Sequence, residues 1–148
     1  MLEAIGNLRM IRERCDTGEP LDPSLSRWLA ERLDRFLDHE CDSVEDALGL
    51  RQPRGGVPWW LVEAMYERDG ALRDLADVVA RDRSLTSRAR EVRRRTVRYA
   101  AEAWRHDRER KTMPAAYRNT EREYIWRAFA SGAPMPLGER QLRTILGC

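Results

Sequence analysis

Lysine is almost absent from this chain: of its 27 basic residues 26 are arginine, and the one lysine is Lys111. That bias fits a GC-rich bacterial coding sequence, because most arginine codons are GC-rich. Cysteine is scarce as well, with only Cys15, Cys41 and Cys148. An odd number, behind an N-terminus that lacks a basic stretch followed by an apolar run, argues against a disulfide framework and for reduced thiols in a cytoplasmic setting. Cys148, at the very end, is expected to form only adventitious intermolecular disulfides. No apolar run approaches the roughly 18 residues of a membrane helix. Phenylalanine occurs twice, and Leu, Ile, Val and Phe together make 29 of 148 residues. That is just under the rough one-fifth that marks disordered chains, but such chains also carry a high net charge. Here the net charge is +2, and five Trp, four Tyr and five Met add apolar bulk, so disorder is excluded. The length predicts a single domain, 1–148, that folds without a staple.

What is present is helical periodicity. Apolar residues at Leu2, Ile5, Leu8 and Ile11 or Met10 predict a first helix, ended by the turn residues Asp16 to Pro20. Asp22-Pro23 offers an N-cap and a first-turn proline, followed by Leu25, Trp28, Leu29, Leu33, Phe36 and Leu37 on one face. Ser43 opens a short helix closed by Gly49, and Pro53 with Gly55-Gly56 marks a loop. Pro58 starts a helix with Leu61, Leu72, Leu75 and Val79 inward. Ser84 or Thr86 caps a long one running to about Lys111, whose core face reads Leu85, Ala89, Val92, Thr96, Tyr99, Ala100 and Ala103. Trp104 adds a second strip, to be covered by Ile125 or Trp126. Thr120 and Glu123 form a capping box, Gly132 a C-terminal stop, and Leu137 to Leu146 a last helix. No period-2 segment persists. The expected architecture is all-α, an orthogonal bundle of six or seven helices.

Charge is unevenly spread. Residues 1–80 sum to −7 and residues 81–148 to +9, so the small net value is a cancellation. On the long helix Glu91, Glu102 and Glu109 lie near Arg95, Arg98 and Arg105 at helical spacing. Arg90, Arg94, Arg98, Arg105 and Arg108 fall opposite the core in a sector that holds no acid. A planar fork of donors suits phosphate oxygens, so this ridge predicts a phosphate-tracking surface. The alternative is a solvated face, or one that meets the acidic half of the chain or of a neighbour.

Two stretches have helix–turn–helix outline. In Tyr124 to Leu146 the last helix would offer Arg140, Gln141, Arg143 and Thr144 to a groove, although Gly132-Ala133-Pro134-Met135-Pro136 is long for a 3–4-residue turn. Phe36 to Trp60 has a long loop and acidic surroundings. Trp59 and Trp60 point about 100° apart, so one packs and the other is left for stacking or a partner. His39 and Cys41, even with Cys15, have no usual zinc spacing and no fourth ligand. His106 has no acidic partner, and no nucleophile, metal or nucleotide motif occurs. No enzyme, metal or cofactor is expected.

Two function classes remain. One is a small bacterial or mobile-element protein that binds nucleic acid, duplex DNA first, through Arg90, Arg94, Arg98, Arg105, Arg108, Arg140 and Arg143. The other is a helical protein-interaction module, an adaptor or inhibitor, that uses its opposed charges to meet a partner or a second copy. Neither is placed at a membrane.

Overall fold

The computed structural model describes residues 1–136 and 138–147. It is all-helical, as the periodicity predicts, with no strand among the described residues. The elements are α1 (Leu2–Thr17), α2 (Pro23–Leu37), α3 (Val44–Ala47), α4 (Trp59–Ala80), α5 (Leu85–Tyr99), α6 (Arg105–Asp107), α7 (Glu121–Ala130) and α8 (Glu139–Leu146). A π turn, Ala100–Trp104, joins α5 to α6 in one continuous rod, which leaves seven rods among the described residues. No helix of the described residues is long and apolar enough to cross a membrane. The expected helix start at Leu137 and the thiol of Cys148 lie outside the described residues.

The helix starts follow their capping residues. Asp22 accepts the Ser24 N–H at 2.8 Å, ahead of Pro23. Ser43 accepts the Asp46 N–H at 3.1 Å, and Ser84, rather than Thr86, accepts the Ser87 N–H at 3.4 Å. Gly132 ends α7 at φ +78°, the left-handed conformation that glycine adopts without a Cβ penalty. The expected box at Thr120 does not form. Glu123 accepts from the N–H of Asn119 at 2.7 Å, one residue early, while the Thr120 hydroxyl donates to the Tyr117 carbonyl. Asn119 stands at φ +58°, which swings its N–H toward Glu123 in place of that of Thr120.

The chain divides into two compact units, Met1–Trp60 and Leu61–Cys148. In the first, Ala4, Ile5 and Leu50 are buried, with Leu8, Trp28, Leu48 and Trp59 packed around them. Trp59 packs and Trp60 is exposed, the division expected from their spacing. Only Leu25 of the α2 stripe is buried, and Leu37 remains 67% exposed. In the second unit a continuous core draws on Ala71, Leu72, Leu75 and Ala76 of α4, Ala89, Val92 and Tyr99 of α5, Ile125 and Ala128 of α7, and Leu142, Ile145 and Leu146 of α8. Its buried alanines let helix backbones approach closely. Arg68 is buried against Asp69 (2.6 Å) and donates to the Pro134 carbonyl, which ties the proline-containing connection to α4.

The long helix departs from expectation. It ends at Asp107 rather than about Lys111, and the π turn changes its phase. One extra residue in the turn sets everything after it back by about 100°. Asp107, which a uniform wheel places about 80° from Tyr99, therefore comes under the same face. Ala100, expected in the core, is exposed. Trp104 packs its ring on those of Phe129 (ring centroids 5.2 Å) and Tyr99 (6.3 Å).

Candidate nucleic-acid interface

The division into units keeps the charge contrast, though smaller than between residues 1–80 and 81–148. Residues 1–60 carry 8 basic and 12 acidic side chains, net −4, and residues 61–148 carry 19 and 13, net +6. The basic unit presents its arginines on two helices. On α8 the buried face is Leu142, Ile145 and Leu146, which leaves Arg140 and Arg143 exposed, with no ion pair among the described residues. Arg90 of α5 lies 3.8 Å from Glu139 at the start of α8, and Leu85 lies beside Gly147 at its end. The two helices therefore run antiparallel, and the α8 arginines sit along the first turns of α5.

The ridge itself is less free than its wheel position implies. The side chains of Arg90, Arg94 and Arg98 are 71%, 61% and 70% exposed, yet each has a carboxylate. Arg94 pairs with Glu91 at 2.7 Å and Arg98 with Glu102 at 3.0 Å, alongside Arg90 with Glu139. A wheel treats side chains as spokes, whereas an arginine reaches the i±3 and i±4 positions on its flank. All of these acids belong to residues 61–148. Arg105 donates to Nε2 of His106 at 3.1 Å, and Arg108 has no ion pair among the described residues. The phase lag of the π turn carries both about 100° away from the line of Arg90, Arg94 and Arg98. The five-residue ridge is thus three residues long, and Arg105 and Arg108 form a separate basic end. Arg93, left out of the sequence expectation, is exposed and has no ion pair among the described residues.

The C-terminal pair is not a compact helix–turn–helix. Residues 131–138 separate α7 from α8, about twice the usual 3–4-residue turn. Among the described residues no group of three His, Cys, Asp or Glu side chains is placed to hold a metal. The Cys41 Sγ instead lies 3.6 Å from the Arg35 carbonyl and 3.7 Å from that of Ser43.

Sequence reasoning missed a polar cluster beneath the rod. Asp107 is 5% exposed and accepts hydrogen bonds from the hydroxyls of Tyr99 (2.7 Å) and Tyr117 (2.8 Å) on one oxygen. Arg110 stands 3.5 Å from its other oxygen. Burial, then the bond to Asp107, pushes both tyrosine hydroxyls above their ordinary range. Nothing local signals this cluster, since it needs both the π turn and the return of the chain through Ala115–Tyr117.

Glu91 organises the opposite flank. Its side chain is 16% exposed and accepts from Arg94 and, at 2.9 Å, from Arg95. The hydrogen bonds from Arg94 and then Arg95 outweigh desolvation and lower its carboxyl to about 2, from an ordinary value of 4.5. A depressed folded-state pKa gives stability that is present above the unfolded value and lost as pH falls through the folded one. Acid titration of the melting temperature should therefore show a decline between pH 4.5 and about 2 that is shallower in Glu91→Gln. Equal slopes for parent and variant would contradict this role.

The chain matches no protein-family profile, no curated protein and no solved structure.

Proposed function

We propose that residues 61–148 bind duplex nucleic acid through its phosphates, with α8 and the first turns of α5 as the contact surface. The observation that carries this reading is Arg140 and Arg143, exposed and free of ion pairs among the described residues, next to Arg90 on a unit of net charge +6. An eight-residue α8 behind an eight-residue connection favours backbone tracking over the reading of base edges. Arg93 joins the surface, while Arg94 and Arg98 contribute less because carboxylates already hold them. Arg105 and Arg108, beyond the π turn, form a second contact for a longer duplex.

The test is the salt dependence of binding to a short labelled duplex, followed by fluorescence anisotropy. Each phosphate contact adds about 0.9 to the slope of log affinity against log salt. Arg140→Ala with Arg143→Ala should lower that slope by about 2 and weaken binding on the order of tenfold or more. No binding at low salt, or a slope that the double variant leaves unchanged, overturns the reading. In that event the exposed Leu37 of α2 favours a protein-interaction module. Sedimentation velocity of Leu37→Glu beside the parent then shows whether that face joins copies of the chain.

A further inference from the structure

A second basic site lies on the other flank of α5. A cleft of about 200 Å³ opens between α5 and α7, lined by Arg94, Arg95, Arg98 and Arg122 around Tyr99 and Glu121. Four guanidiniums meet there. Glu91, Glu102 and Glu121 supply three carboxylates, which leaves one positive charge in excess.

The carboxylates do not exhaust the donors. Arg94 spends Nε and Nη2 on Glu91, and Arg95 spends Nε on Glu91 and Nη1 on Glu121. Arg98 spends only Nε, on Glu102. A guanidinium has five N–H donors, so Nη1 of Arg94, Nη2 of Arg95 and both terminal nitrogens of Arg98 keep theirs. Arg122 has no carboxylate among the described residues, and its guanidinium lies over the Tyr117 ring at 5.5 Å. The glutamates thus hold arginines in place without covering them. Donors fixed in this way lose little freedom when an anion arrives, and a tetrahedral oxyanion accepts from several forks at once.

We propose that this cleft is a phosphate-binding site that takes the phosphoryl group of a nucleotide or oligonucleotide. It shares Arg94 and Arg98 with the margin of the duplex surface but uses neither Arg140 nor Arg143, which carry that surface. The same chemistry is offered by a terminal phosphomonoester and by an internal phosphodiester, and the test separates the two.

Inorganic phosphate is titrated into the full chain while backbone amide shifts are followed by NMR. Saturable shifts confined to residues 94–103 and 121–125 are expected. Arg122→Gln and Arg98→Gln should each weaken binding at least fivefold, and the Arg140→Ala, Arg143→Ala variant should leave it unchanged. A 5′-phosphorylated dinucleotide that binds better than its 5′-hydroxyl form assigns the site to terminal phosphate, and equal binding assigns it to the internal diester. Shifts that fail to saturate, that spread over all exposed arginines, or that survive Arg122→Gln overturn the proposal. If circular dichroism shows Arg98→Gln to be unfolded, the exposed Arg122 carries the test alone. Loss of duplex binding in the Arg140, Arg143 variant with phosphate binding intact separates the two sites.

Discussion

Replacing Asp107 with alanine should destabilise residues 61–148 by about 3 kcal/mol, a fall in melting temperature of roughly 12–24 °C for a unit of this size. The carboxylate accepts from two tyrosine hydroxyls, and hydrogen bonds to an ionised group are worth about 1.5–3 kcal/mol each. Alanine removes the shared acceptor oxygen, and with it both bonds, and leaves the Tyr99 hydroxyl buried with no partner. It also frees the end of the rod from the turn at Ala115–Tyr117. Asp107→Asn is the informative companion, because it keeps an acceptor oxygen of the same shape and loses only the charge. It should cost less than half as much. Tyr117→Phe, which removes one bond from a half-buried ring, should cost about 1 kcal/mol. Calorimetric melts at neutral pH decide the matter. If the alanine variant melts within a degree or two of the parent, the cluster does not hold the rod in place.

Legibility in the sequence differs by element for physical reasons. Asp22-Pro23, Ser43, Ser84 and Gly132 act through bonds to residues two to four positions away, so their meaning is present in the local sequence. The π turn is the opposite case. Ala100, Ala101, Glu102, Ala103 and Trp104 suit either helical pitch, and what selects the wider turn lies elsewhere. Trp104 has to reach Phe129, and Asp107 has to reach Tyr99 and Tyr117. The same turn hides the cluster and breaks the basic ridge, since both depend on the phase of the residues that follow it. On the near side of the ridge the Arg98–Glu102 pair is legible from its spacing, whereas Arg94–Glu91 and Arg90–Glu139 are not, because angular position ignores the reach of an arginine along its flank and to a neighbouring helix. The α8 arginines are legible because Leu142, Ile145 and Leu146 define the buried face without help from any other element.

That buried face leads to the second large effect. Leu142 is 1% exposed at the centre of α8, and Leu142→Ala should cost about 3 kcal/mol through lost burial and the cavity left behind. The loss should not be spread evenly. A helix of eight residues is too short to persist alone, since isolated helices below about 12–15 residues are marginal even in favourable sequences. Its hold on the unit is Leu142, Ile145 and Leu146, together with the bond from Arg73 to the Ile145 carbonyl at 3.3 Å. With Leu142 truncated, hydrogen exchange should show α8 amides opening well before those around Leu72 and Val92, which sit fully buried in α4 and α5. Under the duplex reading Arg140 and Arg143 then lose their fixed placement although no charge has changed. Affinity at a given salt concentration should fall toward that of the double arginine variant, and the salt slope should fall with it, because displaced arginines no longer neutralise their phosphates. Protected α8 amides with undiminished duplex affinity in Leu142→Ala would show that the helix does not depend on this anchor. A weakened affinity with an unchanged slope would instead mean that α8 re-forms on the duplex and keeps both arginine contacts.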